Sequence, residues 1–124
     1  MASDLRQRLG GVGEQLAVDH LRRLGYEIVE RNYRTRWGEI DVIAARGRVL
    51  VFCEVKARRA GGAAGGPFDA VGPAKQAQVR RMAGGWLATR RERPYAAQIR
   101  FDVIGVTVDR GGRLVSLEHL EGAF

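Results

Sequence analysis

The chain has 124 residues, 45% hydrophobic and 28% charged, which is enough for one domain with a real core and short for two. A net charge of +7 and an isoelectric point near 10.7 argue against a basic partner and for a polyanion, nucleic acid above all. All but two of the 21 basic residues are Arg, so a composition bias contributes to that charge. A single cysteine, Cys53, excludes an internal disulfide and fits a reducing compartment. The N-terminal MASDLRQRLGGVGE lacks the apolar run of a secretory signal, and no apolar run approaches the roughly 18 residues of a membrane span. A cytoplasmic protein without membrane contact is expected.

Helical spacing of Leu16, Ala17, Leu21 and Leu24 predicts a first helix over 4–24, stopped by Gly25. A strand follows at YEIVERNYR, then IDVIAA, a turn at Arg46–Gly47, and VLVFCEVK. The segment ARRAGGAAGGPFDA is rich in Gly and Ala and reads as a flexible loop, at about 58–67. A second helix is predicted from about Asp69 to Arg90, with a stripe of Val79, Met82, Ala83, Trp86 and Leu87 and a weak point at Gly84–Gly85. AAQIRFDVIGVTV and RLVSLEH supply two last strands around a turn at Arg110–Gly112. The order αβββαββ predicts one α/β domain over 1–124. Three strands form an antiparallel meander and a crossover returns the fourth beside them, giving a mixed sheet of about five strands flanked by helices.

Within this pattern, GEIDVIAARGRVLVFCEVK places Glu39, Asp41, Glu54 and Lys56 inside apolar strands. Burying a charge costs several kcal/mol unless it is paired, hydrogen-bonded or bound to a metal. A two-residue loop at Arg46–Gly47 would set Asp41 opposite Phe52 and Glu39 opposite Glu54. Asp41, Glu54 and Lys56 would then share a face, with Asp41 diagonal to Glu54. Val51, Cys53 and Val55 would face the core on the other side. Glu14 lies three, four and seven residues before Ala17, Val18 and Leu21, beside the apolar stripe and facing the sheet. Carboxylates from two adjacent strands and a helix, with a lysine two residues past one of them, suit a hard divalent ion, Mg²⁺ or Mn²⁺. With that ion the set suits phosphodiester hydrolysis, Lys56 orienting the attacking water or stabilising charge on the phosphate. A buried Asp–Lys–Glu salt-bridge network is the structural alternative.

The run GGVGEQLAVDHLRRLGYEIVERNYRTRWGEIDVIAARGRVLVFCEVKAR, from Gly10 to Arg58, together with RFDVI at 100–104 and HLEGAF at 119–124, resembles the bacterial YraN family. That family is similar to Holliday-junction resolvases of the PD-(D/E)xK nuclease superfamily. The resemblance spans nearly the whole chain and implies a restriction-endonuclease-like fold. It implies that Asp41 is the catalytic Asp, Glu54 and Lys56 the E-x-K pair, and Glu14 the helical Glu. The carbonyl of Val55 would be a further metal ligand. Ile40 stands where the motif has Pro. A basic or amide residue of the second helix would be Lys75, with Gln76 and Gln78 behind it. Branched or structured DNA is the implied substrate, and resolvases act as two-fold dimers, which leaves room for a homodimer.

Arg34 and Arg36 flank the site strand and Arg58 and Arg59 follow Lys56, positions suited to phosphate contact alongside Lys75. Glu39 is assigned a supporting position beside the ligands. Arg100 and Asp102 are expected to form a structural ion pair, Trp37 and Trp86 to pack, and His20 and His119 to take no catalytic part. Two rival readings stay open: a nucleic-acid-binding module that does not cut, and an adaptor in DNA uptake or recombination whose charge set is a relic.

Overall fold

The computed structural model describes residues 2–62, 71–90 and 92–124, with side chains from Arg8 onward in the first helix. Helix α1 (Ala2–Arg23) leads into β1 (Glu27–Thr35), β2 (Gly38–Arg46) and β3 (Val49–Arg59). Helix α2 (Pro73–Thr89) precedes β4 (Gln98–Val108) and β5 (Leu114–Leu120). The five strands form one mixed sheet in the order β1-β2-β3-β4-β5. Only β3 and β4 run parallel, because the chain between them crosses over through α2. This is the α/β, restriction-endonuclease-like arrangement that the sequence predicts.

Alternation along the strands divides the core into two layers. Val42, Ala44, Val51, Cys53 and Ile104 pack against Ala17, Val18 and Leu21 of α1. Ile43, Leu50, Phe52 and Phe101 pack against Val79, Met82, Ala83 and Trp86 of α2. The expected stripe of α2 is therefore its buried face, and Gly84–Gly85 lie exposed on the other side, where the helix runs through them. Cys53 is fully buried in the α1 layer. Helix α2 begins at Pro73, later than predicted, with extended Gly72 as its N-cap and Pro73 preset for the first turn. Asp69 and residues 63–67 of the Gly-rich segment lie outside the described residues. Leu24, placed on the α1 stripe by its spacing, falls past the helix end and is 41% exposed.

Gly13 sets how closely α1 approaches the sheet. A Cβ there would lie 2.5 Å from that of Ala57 on β3, inside any real carbon–carbon contact. This close approach carries the next residue, Glu14, to the sheet surface.

At the far end of the sheet, Asp102 is completely buried and fully engaged. It accepts from Arg100 Nε and one terminal nitrogen at 2.8 and 2.9 Å, and from the Gly122 N–H at 3.0 Å. His119 Nε2 stands 2.7 Å from its other oxygen, and His20 Nε2 is 2.9 Å from His119 Nδ1. The expected Arg100–Asp102 pair is thus the centre of a network that ties α1, β4 and the C-terminal turn together. Trp86 packs as expected, edge-on to Phe52, and its indole N–H donates to Glu30 at 3.2 Å. Trp37 does not pack: it sits 44% exposed in the β1–β2 turn.

Candidate metal centre at the fork of two strands

Strands β2 and β3 pair from Arg46↔Val49 to Val42↔Cys53 and then part. The next residues of each strand are Asp41 and Glu54. Where the ladder ends, the Val55 N–H donates to Asp41 Oδ2 at 2.7 Å, a charge-assisted bond in place of the missing strand partner. The register differs by two from the expected one: Ile43, not Asp41, opposes Phe52, and Glu39 pairs with Arg34 of β1 rather than with Glu54. The Glu39–Glu54 opposition is therefore corrected, although an even shift preserves which residues share a face.

A second departure lies inside β2. Ile40 packs in the α2 layer and Val42 in the α1 layer, so the alternation slips at Asp41. Asp41 lines an open cleft of about 910 Å³ with Glu14, Glu39, Val55 and Ala57, on the side of α1. Glu54 and Lys56 alternate with Val55, which packs in the α1 layer, so they point toward α2. The single shared face expected for Asp41, Glu54, Lys56 and Glu14 is replaced by a site reached from both faces of the sheet, with Asp41 in the gap.

Glu14, Glu39 and Asp41 each bring a carboxylate oxygen within 4.8 Å of the other two. Among the described residues no such trio includes Glu54. Glu39, assigned only a supporting position from the sequence, thus joins the same carboxylate trio as Glu14 and Asp41. Arg31 Nε and Asn32 Nδ2 both donate to Glu14 Oε1 at 3.0 Å, and Arg34 Nε donates to Glu39 Oε2 at 3.1 Å. Asn32 adopts a left-handed backbone, φ 55°, opposite the slip in β2. Nothing in the periodicity of β1 marks Arg31 and Asn32, because its burial does not alternate.

Glu54 is 3% exposed, and its Oε1 has no hydrogen-bond partner among the described residues. Lys75 Nζ of α2 stands 3.7 Å away, an ion pair too long for a hydrogen bond. Burial pushes the Glu54 carboxyl up to about 7, and the nearby Asp41 charge adds to it against Lys75 and Lys56. Burial likewise raises Asp41 to about 6, helped by Glu39 and Glu14 and opposed by the Val55 N–H and Lys56. Both shifts come first from burial, with the neighbouring carboxylates adding to it. Lys56 is half-buried and forms no ion pair among the described residues, yet its charge reaches both carboxyls.

The expected phosphate-binding residues are differently engaged. Arg34 is held by Glu39, and Lys75 by Glu54. Arg58 Nε donates to Thr107 Oγ1 at 3.2 Å, and Arg59 reaches the Arg110 carbonyl at 3.5 Å. Arg36 lies over the Trp37 ring.

A model of the Uncharacterised protein family UPF0102 matches residues 13–106, a span that contains Glu14, Glu39, Asp41, Glu54, Lys56 and Lys75. The chain belongs to this family. A UPF0102 protein of Parafrankia sp. (strain EAN1pec) is 50% identical over 118 residues, covering 95% of this chain and 97% of its own. UPF0102 proteins of Mycobacterium tuberculosis (strain H37Rv) and Mycolicibacterium vanbaalenii are 49% and 44% identical, covering 94% and 97% of this chain and 92% and 96% of their own. UPF0102 membership is shared along nearly the full chain. No helix among the described residues is long and apolar enough to cross a membrane.

Proposed function

We propose that this UPF0102 protein is a metal-dependent endonuclease that hydrolyses phosphodiester bonds in branched or structured DNA in the cytoplasm. The observation that carries the reading is the buried Glu54 oxygen, without a hydrogen bond among the described residues, beside Asp41 at the strand fork. A buried carboxylate oxygen normally has a partner. An all-oxygen donor set with one unsatisfied member fits a hard divalent cation, Mg²⁺ or Mn²⁺. Asp41 and Glu54, with Glu14 and the Val55 carbonyl, would hold it, and Glu39 is positioned to join them. Such an ion supplies Lewis-acid polarisation of the phosphoryl group and of the attacking water.

The chain's own residues supply the rest. Lys56, beside both carboxyls and without an ion pair among the described residues, positions the attacking water and offsets charge as it develops on the phosphate. Lys75 holds the Glu54 carboxylate from α2. Arg34, Arg36, Arg58 and Arg59 contact backbone phosphates on the flanks. A homodimer would present two such sites to a symmetric junction.

The test is cleavage of labelled linear, flapped and four-way DNA in Mg²⁺ or Mn²⁺. Wild type is expected to cut at least one branched substrate, with Asp41→Asn and Lys56→Ala reduced at least a thousandfold. If junction DNA is bound but no substrate is cut, the non-catalytic binding module replaces this reading. Cleavage that survives in both variants would remove the site assignment.

A further inference from the structure

The β1–β2 turn carries a second feature outside the carboxylate cluster. Trp37 is 44% exposed, with the Arg36 and Arg81 guanidinium carbons 4.6 and 5.0 Å from its ring centroid. A solitary exposed aromatic needs no explanation, but this one holds two cations together. Neither Arg36 nor Arg81 forms an ion pair with a carboxylate among the described residues, and both are exposed. The neighbouring arginines differ: Arg31 is held by Glu14, Arg34 by Glu39 and Arg90 by Glu30. Of the other rings under arginines, Tyr26, Trp86 and Phe101 are buried and Phe124 is half-buried.

A 44% exposed indole beside two exposed guanidiniums, neither in an ion pair among the described residues, matches the two parts of a nucleotide. The ring and the guanidinium planes stack on a base, and the charges meet the phosphates on either side. The backbone N–H of Trp37 donates to Thr35 Oγ1 at 3.0 Å, which holds the turn in shape, and Arg81 joins it from α2. Asp41, in β2, lies four residues beyond Trp37, at most roughly 13 Å at about 3.3 Å per residue, or about four stacked nucleotides.

We propose that Trp37, Arg36 and Arg81 form a stacking subsite for an unpaired DNA base, so that the preferred substrate has a single-stranded segment a few nucleotides from the phosphate at the carboxylate site. A continuous duplex keeps its bases in the stack and offers this platform only its backbone. A flap, a fork or a splayed junction arm offers a base. The inference takes the position of the phosphate from the nuclease reading, but the subsite itself is a binding property.

The test is therefore made in EDTA, where cleavage plays no part. The chain has two tryptophans, and Trp86 is 1% exposed, so quenching of indole emission by oligothymidylate reports Trp37. Quenching is expected in wild type and lost in Trp37→Leu. Anisotropy titrations should show Trp37→Leu binding a forked DNA about tenfold more weakly, with under twofold change on blunt duplex. Trp37→Phe should recover part of the loss, since a ring remains. Equal loss on fork and duplex, or no loss and no quenching, would overturn the subsite. Trp37-dependent fork binding by a protein that cuts nothing in Mg²⁺ or Mn²⁺ would uphold the subsite and remove the nuclease reading.

Discussion

Asp41→Asn, the substitution expected to abolish cleavage, will make the metal-free protein more stable at pH 8. Asp41 and Glu54 are held at about 6 and 7, above ordinary values of 3.8 and 4.5. Between roughly pH 4 and 7 the folded state therefore binds more protons than the unfolded state, and stability falls as pH rises through that window. Above pH 7 the full penalty is present. One pKa unit corresponds to about 1.4 kcal/mol, so the Asp41 shift has an upper bound of about 3 kcal/mol, and about 2 kcal/mol remains after discounting for solvent screening of this partly exposed group. For a chain of this length that raises the melting temperature by about 5 °C or more. Asn retains an oxygen for the Val55 N–H, so the backbone contact survives. At pH 4 the gain should vanish. Melting curves of both proteins in EDTA at the two pH values check this; a lower melting temperature for Asp41→Asn at pH 8 would mean the carboxylate serves the fold rather than a ligand.

The second large effect is structural. Asp102→Ala removes the only buried carboxylate beside Arg100 among the described residues, leaving that 14% exposed guanidinium the neutral Tyr26 hydroxyl at 2.6 Å and the exposed Glu121 at 3.5 Å, and it also removes the acceptor for His119 and the Gly122 N–H. Leaving one member of a buried pair uncompensated costs about 3–5 kcal/mol, a large share of a small domain's stability. Its pH dependence has the opposite sign to that of Asp41. Burial acts to raise the Asp102 carboxyl, but the bonds from His119, Arg100 and Gly122 outweigh it and hold the group below its ordinary value. That stability is present above about pH 4 and is lost as pH falls through the lower, folded value. Urea titrations should show wild type losing stability below pH 4 and Asp102→Ala nearly flat there. A variant within about 1 kcal/mol of wild type at pH 7 would contradict the network's role.

Opposed slopes at Asp41 and Asp102 separate a carboxylate placed for a ligand from one placed for the fold, a distinction their sequence contexts hide. Both sit in apolar strands, IDVIAA and RFDVIG. The strands, both helices and their order were legible because alternation and helical spacing are strong in β2, β3, β4 and α2. The register was two residues out because Gly47 and Arg48, not Arg46 and Gly47, form the hairpin loop. Gly47 has φ 59° at the first loop position, as a type II′ turn requires. The slip at Asp41 was not legible, since it depends on the irregular pairing of β1 near Glu30 and the left-handed Asn32. Nor was the contact of His20 with His119, 99 residues apart, which needs α1 and β5 packed on one sheet. Trp37 reads as a packing residue until the turn that carries it is seen to project from the sheet.

Crystals grown with Mn²⁺ offer the most direct test of the carboxylate site, through an anomalous difference map. A peak is expected at the fork of β2 and β3, within coordination distance of both Asp41 and Glu54, and is expected to be lost in Asp41→Asn. A map without a peak there, or with one confined to Glu14 and Glu39 while the Glu54 oxygen stays unliganded, would contradict it.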